Sequence, residues 1–150
     1  MNEPEMGQIE VISLSAKKVV KAWNLKAALQ NTPMAIDRKN KRLFIACDTG
    51  KFIILSTTSG QEIQRIVIHK NADGIYYDGK RKLLYVSCGE GFIDVIRQQN
   101  ANHYQIEGTI PTTKGAATSL FSPSTDNYYL AIPQSANTPA EIRIYKPLHS

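Results

Sequence analysis

The stretch KRLFIACDTGKFIIL (41–55) laid over RKLLYVSCGEGFIDV (81–95) decides the reading of this chain. Lys41 meets Arg81, Leu43 meets Leu83, Phe44 meets Leu84, Ile45 meets Tyr85 and Ala46 meets Val86; after a one-residue slip, Cys47 meets Cys88 and Gly50 meets Gly91. Upstream, MAID (34–37) matches IYYD (75–78) at an offset of 41. A third, weaker copy runs through TSLFS (118–122), NYYLAIP (127–133) and AEIRIYKP (140–147). A fragment of a fourth, GQIEVISL (7–14), aligns with GKFIILST (50–57) and GFIDVIRQ (91–98). The chain is an internal repeat with a period of 41 to 49 residues, and a period in the forties narrows the architectures sharply.

Within each period the apolar residues come in runs of four to seven Ile, Val, Leu, Tyr and Phe, separated by Gly, Asn, Asp, Ser and Pro clusters. Those are strand signals. Helical spacing is nearly absent: AWNLKAALQN (22–31) has the propensity for about two turns before Pro33, and a loop or a single turn competes with it. Strands are expected at 9–14, 18–24, 33–37, 43–48, 51–56, 62–68, 73–78, 83–88, 92–97, 104–110, 117–121, 128–132 and 140–145. Four short antiparallel strands per period make a propeller blade, and the continuous apolar runs at 43–46 and 83–86 suit inner strands covered on both faces by neighbouring blades. The fold class is all-β, a partial β-propeller of about three to three and a half blades in a single segment, 1–150. Residues 7–24 form the last two strands of a blade, 33–68 and 73–110 each form a blade, and 117–145 form three strands of a final one.

These units resemble YVTN-type propeller repeats, in which a strand ending in Asp leads through a basic turn to a KRLFIA or RKLLYV strand, a Gly turn and a FIDVI-type strand. The run ADGIYYDGKRKLLYVSCGEGFIDVI (72–96), with HYQIEGTIPTTKGAATSLFSP (103–123) and PAEIRIYKP (139–147), is similar to the C-terminal half of YncE-like bacterial proteins. The resemblance implies a seven-bladed ring, usually exported, hence a periplasmic or extracellular location, and members that mostly lack a defined activity. This chain carries no signal peptide by its own sequence, which leaves the cytoplasm open.

Thirteen strands fall short of the four blades a closed ring needs. The chain is therefore expected to be an open arc, either the C-terminal portion of a larger reading frame or a half-ring that pairs with a second copy. Its partners would be the remaining blades or another copy of the chain, and the segment 10–13 is expected to present an unpaired inner edge.

Composition excludes several function classes. The sequence of 150 residues is 42% hydrophobic, with 18 Lys and Arg against 13 Asp and Glu, ordinary for a globular domain. No apolar run approaches the roughly 18 residues that span a bilayer, and MNEPEMGQIE (1–10) has no apolar core. Two cysteines are too few for a disulfide scaffold and show no metal-ligand spacing; Cys47 and Cys88 read as small buried apolar residues of adjacent blades, too far apart to bridge. Trp23 reads as packing. No cofactor or metal is expected.

No GxSxG, HExxH, phosphate-cradling or dinucleotide motif occurs. GlyGluGly (89–91) and AspThrGlyLys (48–51) read as turns, and His69, His103 and His149 have no carboxylate at fixed spacing. The loops entering each innermost strand and the turns between second and third strands make one face, where Asp48, His69, Asp73, Glu90 and Lys114 are the ionisable groups that could converge on a small polar ligand or a protein. Binding or scaffolding without catalysis is the reading; the alternative enzyme is a seven-bladed lactonase-type hydrolase, whose blade pattern this repeat resembles.

Residues 1–82 hold 14 basic and 8 acidic residues, whereas 83–150 hold 4 and 5. Lys17, Lys18, Arg38, Lys39, Lys41, Arg42, Lys80, Arg81 and Lys82 fall in or beside turns that open on the other face, a basic side that an anionic partner could use. No aromatic residues interleave with these charges, so solubilising turns are the simpler reading, and nucleic acid and membrane are not expected as partners.

Overall fold

The computed structural model describes residues 1–25, 30–136 and 139–148. Among them fourteen strands form four antiparallel sheets, and no helix occurs. Sheet one holds β1 (Asn2–Glu3), β2 (Gln8–Ser13) and β3 (Lys18–Asn24). Sheet two holds β4 (Asn31–Asp37), β5 (Arg42–Cys47), β6 (Lys51–Ser56) and β7 (Glu62–Val67). Sheet three holds β8 (Ala72–Asp78), β9 (Leu83–Cys88), β10 (Phe92–Asn100) and β11 (His103–Pro111). Sheet four holds β12 (Ser119–Ser122), β13 (Asn127–Ile132) and β14 (Glu141–Tyr145). In every sheet the strands lie in chain order, joined by hairpins. Of the stretch 22–31, Ala22–Asn24 belongs to β3 and 26–29 lie outside the described residues.

Two expectations are corrected. The first strand of the truncated sheet is not bare: β1 pairs antiparallel with β2, Asn2 opposite Ile9 and Glu3 opposite Gln8, and Glu10 exchanges bonds with Met1. The slip in the repeat also disappears. Asp37 pairs with Arg42 as Asp78 pairs with Leu83, so Arg42 corresponds to Leu83 and Cys47 to Cys88 at one constant offset of 41. The backbone repeats with it: Lys41 and Lys82 stand at φ 56° and 55°, and Gln30 and Asn71 both stand at φ 58°.

Three apolar layers hold the sheets face to face. Leu43, Ile45, Cys47, Ile53 and Leu55 of sheet two pack on Ile9, Trp23 and Leu25. The opposite face, Phe44, Ala46, Phe52 and Ile54, packs on Ile75, Leu84, Val86, Cys88, Ile96 and Tyr104 of sheet three. Leu83, Tyr85 and Ile93 then meet Phe121, Tyr128, Leu130 and Ile132 of sheet four. Both faces of β5, β6 and β9 are thus buried, which is why their sequences show no alternation. Cys47 and Cys88 are free and buried.

Polar side chains join the sheets at the turns. Asp78 closes its turn by accepting from the Lys80 and Arg81 amides, and the Arg81 guanidinium bridges Asp78 (2.7 Å) to Asp126 of the next sheet (2.5 Å). Asp37 closes the equivalent turn through Asn40 and accepts from Gln98 Nε2 of sheet three at 2.9 Å.

Candidate functional site

Two ends of the strands present loops, and they differ in chemistry. At one end lie the turns between second and third strands together with the loops leading into the innermost strands. A groove of about 510 Å³ opens there, lined by Thr32 and Asp48 of sheet two, Asn71, Asp73 and Gly89 of sheet three, and Lys114, Gly115 and Ala117 of the loop entering sheet four. Backbone bonds fix its walls: the Asn71 amide donates to the Asp48 carbonyl at 2.9 Å, the Gly89 amide to the Asn71 carbonyl at 2.7 Å, and the Gly115 amide to the Gly89 carbonyl at 2.8 Å. Each loop is thereby bonded to the next blade's loop, so the groove is framed by main chain. Thr118 Oγ1 donates to Asp73 Oδ2 at 3.3 Å. Burial, and then the neighbouring Asp73 charge, push the Asp48 carboxyl above its ordinary value of 3.8.

Of the five residues expected to converge on this face, Asp48, Asp73 and Lys114 share this groove, and His69 and Glu90 do not. Those two line a smaller pocket of about 270 Å³ with Val67, Ile68, Lys70, Asp94, Ile106 and Thr109. His69 is not a solvated histidine. Its Nδ1 stands 2.9 Å from Asp94 Oδ1, its amide donates to Asp94 Oδ2 at 2.8 Å, and its ring stacks on Phe92 with centroids 3.9 Å apart. Asp94 also accepts from Thr109 Oγ1 at 2.9 Å, and Glu90 Oε2 accepts from the Lys70 amide at 2.6 Å. Asp94, Thr109, Thr32 and Asn71 were not picked out from the sequence. Asp94 meets His69 across 25 residues and Asn71 meets Asp48 across two sheets, and nothing in local spacing marks them.

A His held by a buried carboxylate is half of a general-base arrangement. Only Asp94 is bonded to the ring of His69, and no hydroxyl or thiol is bonded to it among the described residues. Cys88, the nearest sulfur to this pair, donates weakly to Asp94 Oδ2, and burial followed by the Asp94 charge drives its thiol far above the ordinary range. Cys47 is pushed up to about 11, again by burial first. Neither is a thiolate nucleophile. No group of three or more His, Cys, Asp or Glu side chains is gathered as metal ligands among the described residues.

At the opposite end open the turns that follow the first and third strands. Lys17, Lys18, Arg38, Lys39, Lys41, Lys80 and Lys82 are exposed there. Arg42 and Arg81 do not join them as free cations. Arg42 donates through Nε to the Ala101 carbonyl at 2.7 Å and through Nη2 to Asn102 at 2.5 Å, tying sheet two to sheet three. Arg81 is buried between Asp78 and Asp126.

No family model matches the sequence, and no curated protein matches it. Solved structures do. Hydrazine synthase of Kuenenia stuttgartiensis aligns with a TM-score of 0.78 and 16% identity over 93% of this chain and 40% of that one. Sqt1 of Saccharomyces cerevisiae aligns with a TM-score of 0.67 and 11% identity over 85% of this chain and 35% of that one. Both are β-propeller proteins. The architecture is a partial β-propeller. This propeller segment spans less than half the length of either neighbour, and at such identities the likeness is one of fold.

Proposed function

We propose that this chain is a non-catalytic binding and scaffold segment of a β-propeller, and that it takes a small zwitterionic ligand, or a charged side chain of a protein, in the groove between Asp48, Asp73 and Lys114. The observation that carries the reading is this groove itself. Two carboxylates and one lysine from three successive blades face one cleft on a frame of main-chain bonds, and burial together with the Asp73 charge raises the cost of ionising Asp48. A cation seated between them relieves that repulsion, while Lys114 accepts the ligand's anionic group.

Other buried ionisable groups of the arc are engaged within and between sheets: Asp94 with His69 and Thr109, Asp37 with Gln98, Arg81 with two aspartates. That distribution favours recognition over the lactonase-type hydrolase. Membership of the YncE-like family, with its periplasmic or extracellular location, belongs to the same reading and rests on the 72–123 pattern.

Titration calorimetry and thermal melts with lysine, methylamine and acetate test it. Lysine is expected to bind and raise the melting midpoint, methylamine to bind more weakly, and acetate not at all. Asp48→Asn with Asp73→Asn should weaken lysine binding about tenfold or more. Equal binding to the double variant, or no binding of either amine, removes the groove from consideration.

A further inference from the structure

We infer that the end of the arc opposite the groove docks on an anionic lipid surface. This concerns a different surface from the groove and does not depend on it. Seven cations stand exposed on the turns at that end: Lys17 and Lys18 in sheet one, Arg38, Lys39 and Lys41 in sheet two, Lys80 and Lys82 in sheet three. The acids of the same turns are already committed. Asp37 accepts from Asn40 and Gln98, whereas Asp78 and Asp126 share Arg81. At the other end Asp48 and Asp73 line the groove, Asp73 accepting from Thr118 alone among the side-chain bonds of the described residues. The arc is therefore electrically polar along its strands.

Folding alone does not ask for these lysines. Lys17, Lys41 and Lys82 occupy φ 50°, 56° and 55°, a conformation that Gly and Asn adopt more easily. Lys41 and Lys82 stand in turns of one kind, whose third member has Asp126 at the matching place, φ 56°, paired with Arg81; Lys17 stands in a turn of the other kind, whose counterpart in sheet two carries Gly60 at φ 75°. A lysine at a strained position in three turns supplies charge where the turn itself would be better served by another residue.

Two leucines decide which anionic partner this end fits. Leu14 follows β2 of sheet one and is 88% exposed; Leu148 lies beyond β14 of sheet four and is 86% exposed. Both lie at the basic end because strands β2 and β14 run toward it. Most aromatic rings are instead packed between sheets, with Phe44, Phe52, Tyr85, Tyr104 and Tyr128 all buried, whereas Tyr129 lies on the outer face of sheet four with its hydroxyl against Thr125 and Asn127. Bases of a nucleic acid would find the ring of Tyr129 there, not the series of rings on which successive bases stack. A bilayer offers both what lysines seek, the anionic headgroups, and what protruding leucines seek, the acyl boundary beneath them. A membrane partner is not expected from the sequence, because Leu14 and Leu148 come to the same end as the charges only in the folded chain.

Flotation of the full chain with vesicles of phosphatidylcholine, with and without phosphatidylserine, tests the assignment, since floating separates vesicle-bound chain from self-associated chain. Binding is expected only with phosphatidylserine, falling steeply with added salt. Lys39→Ser, Lys80→Ser and Lys82→Ser together should lower affinity about a hundredfold at low salt, about fivefold for each lysine. The charge-matched set Lys21→Ser, Lys51→Ser and Lys70→Ser should lower it far less. Leu14→Ser with Leu148→Ser should reduce the binding that survives at high salt. Overturning results are absence of binding, equal losses from the two lysine sets, or binding to RNA and heparin with none to vesicles.

Discussion

Asp48 is an acid whose folded surroundings favour its neutral form, because burial and Asp73 raise its pKa above the ordinary value of 3.8. The ionised group therefore costs stability at neutral pH; the cost fades as pH falls through the folded pKa and is gone below the unfolded one. Asp48→Asn is expected to raise the melting midpoint at pH 7, with the gain shrinking to nothing under acid conditions. Melts across pH check this, and a variant less stable at pH 7 would mean that the carboxylate is paired. Asp37 behaves in the opposite sense. Burial pushes its carboxyl up, but bonds from Gln98 and then Asn40 outweigh that and hold it below the ordinary value. Its contribution is present above the unfolded pKa and lost as pH falls through the folded one. The strand-ending aspartates were legible in the sequence, because Asp37 and Asp78 close equivalent turns. The roles of Arg81 and His69 were not, since Asp126 lies 45 residues from Arg81 and Asp94 lies 25 from His69.

Strand positions came through the sequence well, and register did not, for one physical reason. In LFIAC and LLYVSC every residue is apolar or small because both faces are buried, so a shift by one leaves the pattern looking the same. The hairpin pairings resolve it. Through Phe44 with Ile54, Tyr85 with Val95 and Tyr129 with Ile144, the residues Ile54, Val95 and Ile144 occupy one place in successive sheets. Their surroundings differ by blade: Ile54 is fully buried against sheet three, whereas Ile144 is 62% exposed on the outer face of sheet four. Ile54→Lys should thus bury an unpaired charge and cost about 4 kcal/mol or more. Ile144→Lys should change stability by no more than about 0.5 kcal/mol. Urea midpoints measure both, and similar losses at the two positions would contradict the burial contrast between sheets. β1 escaped the sequence reading for a different cause, as a two-residue strand in MNEPEM has too few apolar positions to show a period.

For the whole molecule, repetition leaves two unlike faces uncovered. Sheet four presents Leu120, Tyr129, Ala131, Ile142 and Ile144, the counterparts of positions on the face of sheet two that sheet three covers. Sheet one presents Ile12 and Val19 beside Glu10 and Ala22. Further blades would cover both faces in a longer chain. Alone in solution, the outer face of sheet four leaves Leu120, Ile142 and Ile144 more than half exposed side by side, and association is the expected result. Because the two faces differ, such contact is head to tail, and a head-to-tail contact either closes into a ring or adds copies without limit. Light scattering across a range of concentrations separates these outcomes: a closed pair holds a constant mass of two chains, and an open array grows with concentration. Ile142→Lys with Ile144→Lys should shift either form toward single chains while the strand content seen by circular dichroism stays the same. A wild-type chain that remains a monodisperse monomer at every concentration would show that the exposed face of sheet four tolerates water, and the case for neighbouring blades or copies would then lose its physical ground.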